Sequence, residues 1–405
     1  MDLWCKSSLT STADTRSVAR RTLIVLSLYQ LLSNNRSSLF TVYFVLFVVQ
    51  RDGVSVAEGL AAFSAAYVSA SLISPLAGRL SDRLGRRRLF LLLGEATSLP
   101  FFVLIPIVHG FLLVVGFFVV AEILLSFGST ALQAFVADIT STAERGRGYG
   151  FLSAMGSAGS AVGILVAGIV AESFGLDAIF YMVGFLMAGT IFLVLFAIPD
   201  RRLASTKERK PLREMKGLAV FSIATSVRTL GTGAVTAFFG TYAYILGANS
   251  FEISLVAMAG LITSAIVGTP LGRSVDRFGE IPSYIYGTVI VIFSLLVYSV
   301  AGVWFALIPA RVIYSTGFAL LSPAMLSWVT KIAPENRRAE YLGFFAMINS
   351  TLWSFGPVPG GIVEAAYGSL GLFMFAIAVT FVSLGSVYLI YSRSHKGGLI
   401  TNTAR

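Results

Sequence analysis

Eight residues recur 194 positions apart in this chain. Gly78-Arg79-Leu80-Ser81-Asp82-Arg83-Leu84-Gly85 returns as Gly272-Arg273-Ser274-Val275-Asp276-Arg277-Phe278-Gly279, with Gly, Arg, Asp, Arg and Gly at unchanged spacing. Each copy lies between long apolar runs. A charged loop repeated inside an apolar chain restricts the fold to a membrane protein of two related halves, which can rock about a site at their interface. Composition agrees. Of 405 residues, 12% are charged and 56% hydrophobic, and mean hydropathy is +0.82, whereas soluble domains carry about 25% charged residues.

Apolar runs of about 20 residues, the length that crosses the hydrocarbon, predict twelve transmembrane helices. They fall near 22–49, 56–78, 88–108, 110–137, 148–171, 178–198, 217–246, 253–272, 281–301, 303–329, 341–364 and 370–392. The first 21 residues are polar, end in Arg20-Arg21 and lack the apolar stretch of a signal peptide. Of the 30 Lys and Arg, 26 fall in segments that share one side with the N-terminus, and only Arg51 falls in a loop on the other. Basic residues favour the cytoplasmic face. Both termini are therefore expected in the cytoplasm, in the cell (plasma or inner) membrane, and the net charge of +10 reflects this bias and contact with anionic lipid rather than nucleic acid.

The repeat extends beyond the loops. Glu122-x-x-x-Ser126-x-Gly128 parallels Arg311-x-x-x-Ser315-x-Gly317 at an offset of 189, and Gly163, Gly168 and Gly175 parallel Gly356, Gly361 and Gly368 at 193. Near-constant offsets over four spans imply a duplicated six-helix unit. The expected organisation is a cytoplasmic tail at 1–21, a six-helix bundle at 22–198, a solvated linker at 199–216, a second bundle at 217–392 and a tail at 393–405. The fold class is thus an all-α polytopic membrane protein with two pseudo-symmetric bundles.

With these residues in place, the chain resembles the major facilitator superfamily of secondary transporters from about residue 20 to 392. Gly78, Asp82, Arg83, Gly85, Arg86 and Arg87 match that family's signature between helices 2 and 3. Gly272 to Gly279, with Asp276 and Arg277, match the weaker signature between helices 8 and 9, where Glu280 stands in place of the basic cluster. A Gly-bounded turn would let helices approach at the cytoplasmic surface, with Asp82 capping a helix or accepting from a basic neighbour. The resemblance implies that Asp82 and Arg83 latch the two halves when the outside is open, joined by Asp138. Ser327, at the position equivalent to Asp138, makes the second latch look weaker. The alternative for the arginines, Arg87 and Arg88 above all, is that they only anchor the positive side. The proline of Gly356-Pro357-Val358-Pro359-Gly360-Gly361 sits in helix 11, whereas the family's drug–proton antiporters carry such a motif in helix 5.

Five charges fall inside spans: Arg36, Glu95, Glu122, Arg228 and Arg311. Each costs at least about 2.5–3.5 kcal/mol at a helix centre, so such residues usually face a cavity or one another. The resemblance implies that helices 1, 4, 7 and 10 line the central cavity, and four of the five charges fall one on each. Helical spacing puts Tyr29, Ser33, Arg36, Phe40 and Tyr43 on one face of the first of these, and Glu122, Ser126, Ser129 and Gln133 on one face of the second. Phe221, Thr225, Arg228, Thr232 and Tyr242 share a face of the third, and Arg311, Tyr314, Ser315, Phe318 and Ser322 of the fourth. Hydroxyls, aromatics and a charge suit a small-solute site. The same Ser and Thr residues also suit plain helix packing. Glu95, in helix 3, reads as a snorkelling or locally paired residue.

Arg36 and Arg228 precede their loop glycines by 42 and 44 residues, and two guanidinium groups near a pseudo-twofold axis can clamp an anion. Glu122 is the candidate proton carrier. Its other reading is a fixed ion pair with Arg311. The expected function is secondary active transport of a small organic solute, an anion favoured, by alternating access coupled to an ion, with a proton ahead of sodium. Two alternatives stand beside it. One is a multidrug–proton antiporter binding through Tyr29, Phe40, Tyr43, Tyr242 and Phe318. The other is a transporter-like receptor that senses a solute. No nucleotide loop, His/Cys/Asp cluster or Ser–His pair appears, so neither an enzyme nor a metal or other cofactor is expected. The expected partners are the solute, lipids and the coupling ion, with the chain acting as a monomer.

Overall fold

A computed structural model describes the backbone of residues 2–139, 145–198, 216–334 and 338–397, and the side chains of 21–81, 83–136, 151–198, 217–334 and 341–392. The described residues are helical, with no strand among them. The helices are α1 (Asp2–Asp52), α2 (Val56–Leu84), α3 (Arg87–Leu104), α4 (Phe111–Ile139), α5 (Arg145–Phe174), α6 (Asp177–Ala197), α7 (Lys216–Ser226) and α8 (Arg228–Ile245). They continue with α9 (Ser250–Phe278), α10 (Glu280–Ser299), α11 (Leu307–Ile332), α12 (Arg338–Phe355) and α13 (Pro357–Gly397). A 3-10 turn, Trp304–Ala306, leads into α11.

Nine stretches among the described residues are long and apolar enough to cross a membrane, against the twelve anticipated. Sequence chemistry explains the difference. The middle of α1 carries Gln30, Asn34, Asn35 and Arg36, and the 18 residues of α3 include Arg87, Arg88 and Glu95. One 52-residue stretch, Tyr341–Ser392, counts as a single span although it is interrupted twice. Gly356 separates α12 from α13 just before Pro357, which has no N–H for the preceding turn, and Gly368 (φ 69°) turns the chain within α13. Large apolar side chains such as Leu112, Phe185 and Phe196 cover the exterior, as hydrocarbon rather than water requires.

The turns repeat as the sequence does. Gly53, Gly85 and Gly175 adopt φ of 64°, 62° and 84°, and Gly247, Gly279 and Gly368, 194, 194 and 193 residues later, adopt 89°, 88° and 69°. Only glycine enters this region without a steric penalty. Each signature is therefore mostly helix. Gly78 and Gly272 lie within α2 and α9 with open space where a Cβ would point, so the expectation of a turn bounded by glycine at both ends is corrected. The turn itself is made at Gly85 and Gly279, whose N–H groups return to Ser81 and Val275.

Two compact units are present. The first comprises Met1–Phe40, Ser69–Val166 and Phe174–Glu208, and the second Thr41–Val68, Ala167–Ser173 and Arg209–Arg405. In the first, Leu26, Tyr29, Phe90, Leu91, Leu132 and Phe135 join one buried cluster, and Phe40 stacks on Phe102 at 4.7 Å. α3 crosses α4 where Gly94 meets Gly128, so closely that a Cβ on Gly94 would lie 2.8 Å from the Gly128 nitrogen. In the second unit α10 crosses α11 at Gly287 and Gly317, the equivalent positions, with a Cβ on Gly287 only 2.9 Å from the Gly317 carbonyl oxygen. Small residues let helices approach closely in lipid.

Candidate functional site

The first unit gathers three helices around one carboxylate. Residues 29, 33 and 36 share a face of α1 at i, i+4 and i+7. Arg36 donates from Nη1 to Glu95 Oε2 at 2.5 Å, and Tyr29 donates its hydroxyl to Oε1 at 2.7 Å. Thr190 of α6 donates to Oε2 at 3.1 Å, and Arg36 Nη2 donates to Ser33 at 3.0 Å. Arg36 is 4% exposed and Glu95 0%. Charge-assisted bonds of this kind are roughly twice as strong as neutral ones. Glu95 is locally paired, as one of its two readings held, but it does not snorkel. Gly94, Glu95, Ser98 and Phe102 form the buried face of α3, so the side chain points into the unit rather than along the helix to water. The signal in the sequence was that small and polar residues recur with Glu95 at helical spacing.

Glu122 is buried on α4 with Arg36 as its charged neighbour. It forms no ion pair or hydrogen bond among the described residues. Ser126 and Ser129 donate to carbonyls of their own helix, at Ile123 (2.7 Å) and Ser126 (3.2 Å), while Gln133 is exposed.

The second unit holds its cations differently. Arg228 opens α8 just after an interruption at Val227 and is 2% exposed. Its Nη2 donates to the sulfur of Met325 at 3.7 Å, and its Nε is buried without a partner. Arg311, on α11, lies against aromatic faces, its Cζ 5.1 Å from the Phe239 centroid and 5.7 Å from that of Tyr314. Its Nε is also buried without a partner. No described carboxylate pairs with either arginine. The two occupy different depths. Arg228 meets Met325 and Arg311 meets Phe239, and these contacts are separated by 11 residues on α8 and 14 on α11, roughly 16–21 Å of helix.

The other aromatics proposed to bind solute are mostly engaged inside the protein. Tyr43 donates to the Ser250 carbonyl at 2.7 Å and lies 3.2 Å from the Ser254 hydroxyl. Tyr242 donates to the Tyr298 carbonyl at 2.9 Å, and Phe40 and Tyr29 are buried, whereas Phe318 is 42% exposed.

Of the latch residues, the side chains of Asp82 and Asp138 lie outside the described residues. Arg83, Asp276 and Arg277 are exposed, with Arg277 over the ring of Phe278. Two neighbours do more than anchor a surface. Arg87 donates to Ser81 at 3.0 Å, and Arg88 donates to the carbonyls of Val194 and Leu195 at the end of α6, where unsatisfied carbonyls attract a cation. In the second unit Glu280 takes 3.4 Å bonds from Ser327 and Lys331. Ser327 thus engages the acid that opens α10.

A model of the Major Facilitator Superfamily matches residues 26–222 and 221–404. Multidrug resistance protein 2 of Bacillus subtilis is 28% identical over 368 residues, covering 84% of this chain and 86% of that protein. Multidrug resistance protein 1 of the same organism is 25% identical, covering 77% and 81%. Among solved structures, the nucleoside transporter NupG superposes with a TM-score of 0.72 at 14% identity, covering 92% of this chain and 99% of that one. The human organic anion transporter MFSD10 gives 0.68 at 15%, covering 91% and 99%.

Proposed function

Since the chain belongs to the Major Facilitator Superfamily, and is an integral membrane transporter rather than an enzyme, we propose that it moves a small organic anion by secondary active, alternating-access transport. The carrying observation is that Arg228 and Arg311 are guanidinium groups with no carboxylate partner among the described residues, while Arg36 is neutralised by Glu95. A buried cation without a counter-ion is costly, and a substrate anion would relieve that cost. Arg228 and Arg311 therefore each offer an anion position in the second half, at separate depths, and Arg36 serves the coupling side. Glu122, beside Arg36, carries the coupled proton.

The proposed scaffold has twelve spans in two bundles, 22–198 and 217–392, joined by a cytoplasmic linker, with both termini in the cytoplasm of the cell membrane. α1, α3 and the division of 341–392 at Gly368 complete the number. Asp82, Arg83 and Asp138 latch one state on the cytoplasmic side. The outer ends of α1, α2 and α5, which pack within the second unit, gate the other. There Gly168 of α5 meets Ser254, and a Cβ on Gly361 of α13 would lie 3.2 Å from Ala57 of α2.

A second reading, export of amphipathic drug-like compounds, is favoured by the names of the two Bacillus subtilis relatives. Thermal shift of the purified protein separates them, because a ligand stabilises the folded state according to its concentration over its affinity. Organic anions should raise the melting temperature, and Arg228→Gln should remove part or all of that rise. Stabilisation by lipophilic cations alone, unchanged in Arg228→Gln, would establish the efflux reading instead.

A further inference from the structure

We propose that Glu95 is a positioning residue for proton coupling: it holds the Arg36 guanidinium and offsets its charge, so that Glu122 takes up and releases the proton without a fixed partner. This rests on the reading of Glu122 as the proton carrier and deepens it. Helix register brings the three groups together. A Cβ on Gly128 of α4 would lie 3.3 Å from the Tyr29 hydroxyl of α1. Arg36 follows Tyr29 by seven residues, and Glu122 precedes Gly128 by six. As the first and fourth spans of the proposed scaffold, α1 and α4 run in opposite directions. Both residues therefore lie roughly 9–10 Å from that contact, on the same side of it. Gly94 meets Gly128 at the crossing of α3 and α4, which sets Glu95 at the Tyr29 end of the group.

Arg36 is committed to one of the two carboxylates. Its Nη1 donates to Glu95 and its Nη2 to Ser33, while Tyr29 and Thr190 also donate to Glu95. The buried Nε of Arg36 has no bond to Glu122. Glu122 meets Arg36 only as a neighbouring charge. A carboxyl group without a committed bond can change protonation with no contact broken. An opposite charge nearby favours the ionised form of a carboxyl group, so Arg36 by itself would oppose proton uptake at Glu122. The Glu95 charge beside the guanidinium cancels most of that pull. The titratable groups at this crossing are Arg36 and Tyr29 from α1 and Glu95 from α3. α6 brings the neutral Thr190, and Glu122 is the one charge among the described side chains of α4.

Infrared titration of the purified full-length protein in detergent tests this. The readout is the band of the protonated carboxyl group that Glu122→Gln removes. Glu95→Gln keeps an acceptor for Arg36 and loses the charge, so the midpoint of that band should move to lower pH by roughly one to three units. Melting temperature shows whether this variant is folded. If it is not, Arg36→Met with Glu95→Met takes its place. With both charges gone, the midpoint should stay near that of the unmodified protein or fall. A midpoint unmoved or raised in Glu95→Gln, or raised in the double variant, overturns the inference and leaves Glu122 as the carrier. A titration in which Glu122→Gln removes no band overturns the proton reading and the inference with it.

Discussion

Arg36 and Arg228 stand at similar places in the two halves of a duplicated sequence, and both are buried, yet their surroundings differ. Arg36 is one corner of a network in which Glu95 accepts from Arg36, Tyr29 and Thr190. Arg228 has a methionine sulfur and a buried Nε with no acceptor. The same side chain is therefore part of a hydrogen-bonded network in one half and has no counter-ion among the described residues in the other. A paired charge resists change, and an unpaired one leaves room for a ligand, which is why the proposed anion site lies in the second half.

Removing one charge from each half should test this contrast most sharply. Arg36→Met leaves Glu95 buried without its cation, a loss of about 3–5 kcal/mol. The melting temperature in detergent should fall, and Arg36→Met with Glu95→Met should recover much of it. Arg228→Met removes a buried charge with no counter-ion among the described residues, whose burial is costly, so unliganded protein should melt higher. A fall in both single variants would erase the distinction.

Thr190→Val probes the same network more gently. It deletes one donor to a carboxylate, for which about 1.5–3 kcal/mol is typical. Melting should drop less than in Arg36→Met, and no drop would mean that Glu95 depends on Arg36 and Tyr29 alone.

The smallest effects separate the two glycines of one signature. Gly85→Ala forces a side chain into a left-handed backbone at about 1–2 kcal/mol. Gly78→Ala places a methyl in open space within a helix, where about 0.5–1 kcal/mol of stabilisation follows. Opposite shifts in melting temperature support this division. Transport lost in Gly78→Ala without loss of stability would give that glycine a role in the latch instead.

Much of this was legible in the residues. The apolar runs, the duplicated signature and the glycine offsets announce a helical membrane protein of two related halves, because a chain in hydrocarbon must satisfy its backbone internally. The equivalence of Gly128 and Gly317 was likewise visible in the offsets. Their partners, Gly94 and Gly287, were not, since contact across a helix crossing leaves no periodic mark along either helix.

Charges inside spans can be read off a sequence, as can the faces of helices 1, 4, 7 and 10 that carry them. Their pairing is a different matter. Glu95 looked like a residue near a membrane edge, and only the packing of α1, α3 and α6 brings it to Arg36. Arg228 and Arg36 looked like a matched clamp, and only that packing neutralises Arg36, while Arg228 meets Met325 and no described carboxylate. Hydrophobic length and repeat spacing are properties of the chain and act locally, whereas an ion pair between residues 59 positions apart exists only once the helices have assembled.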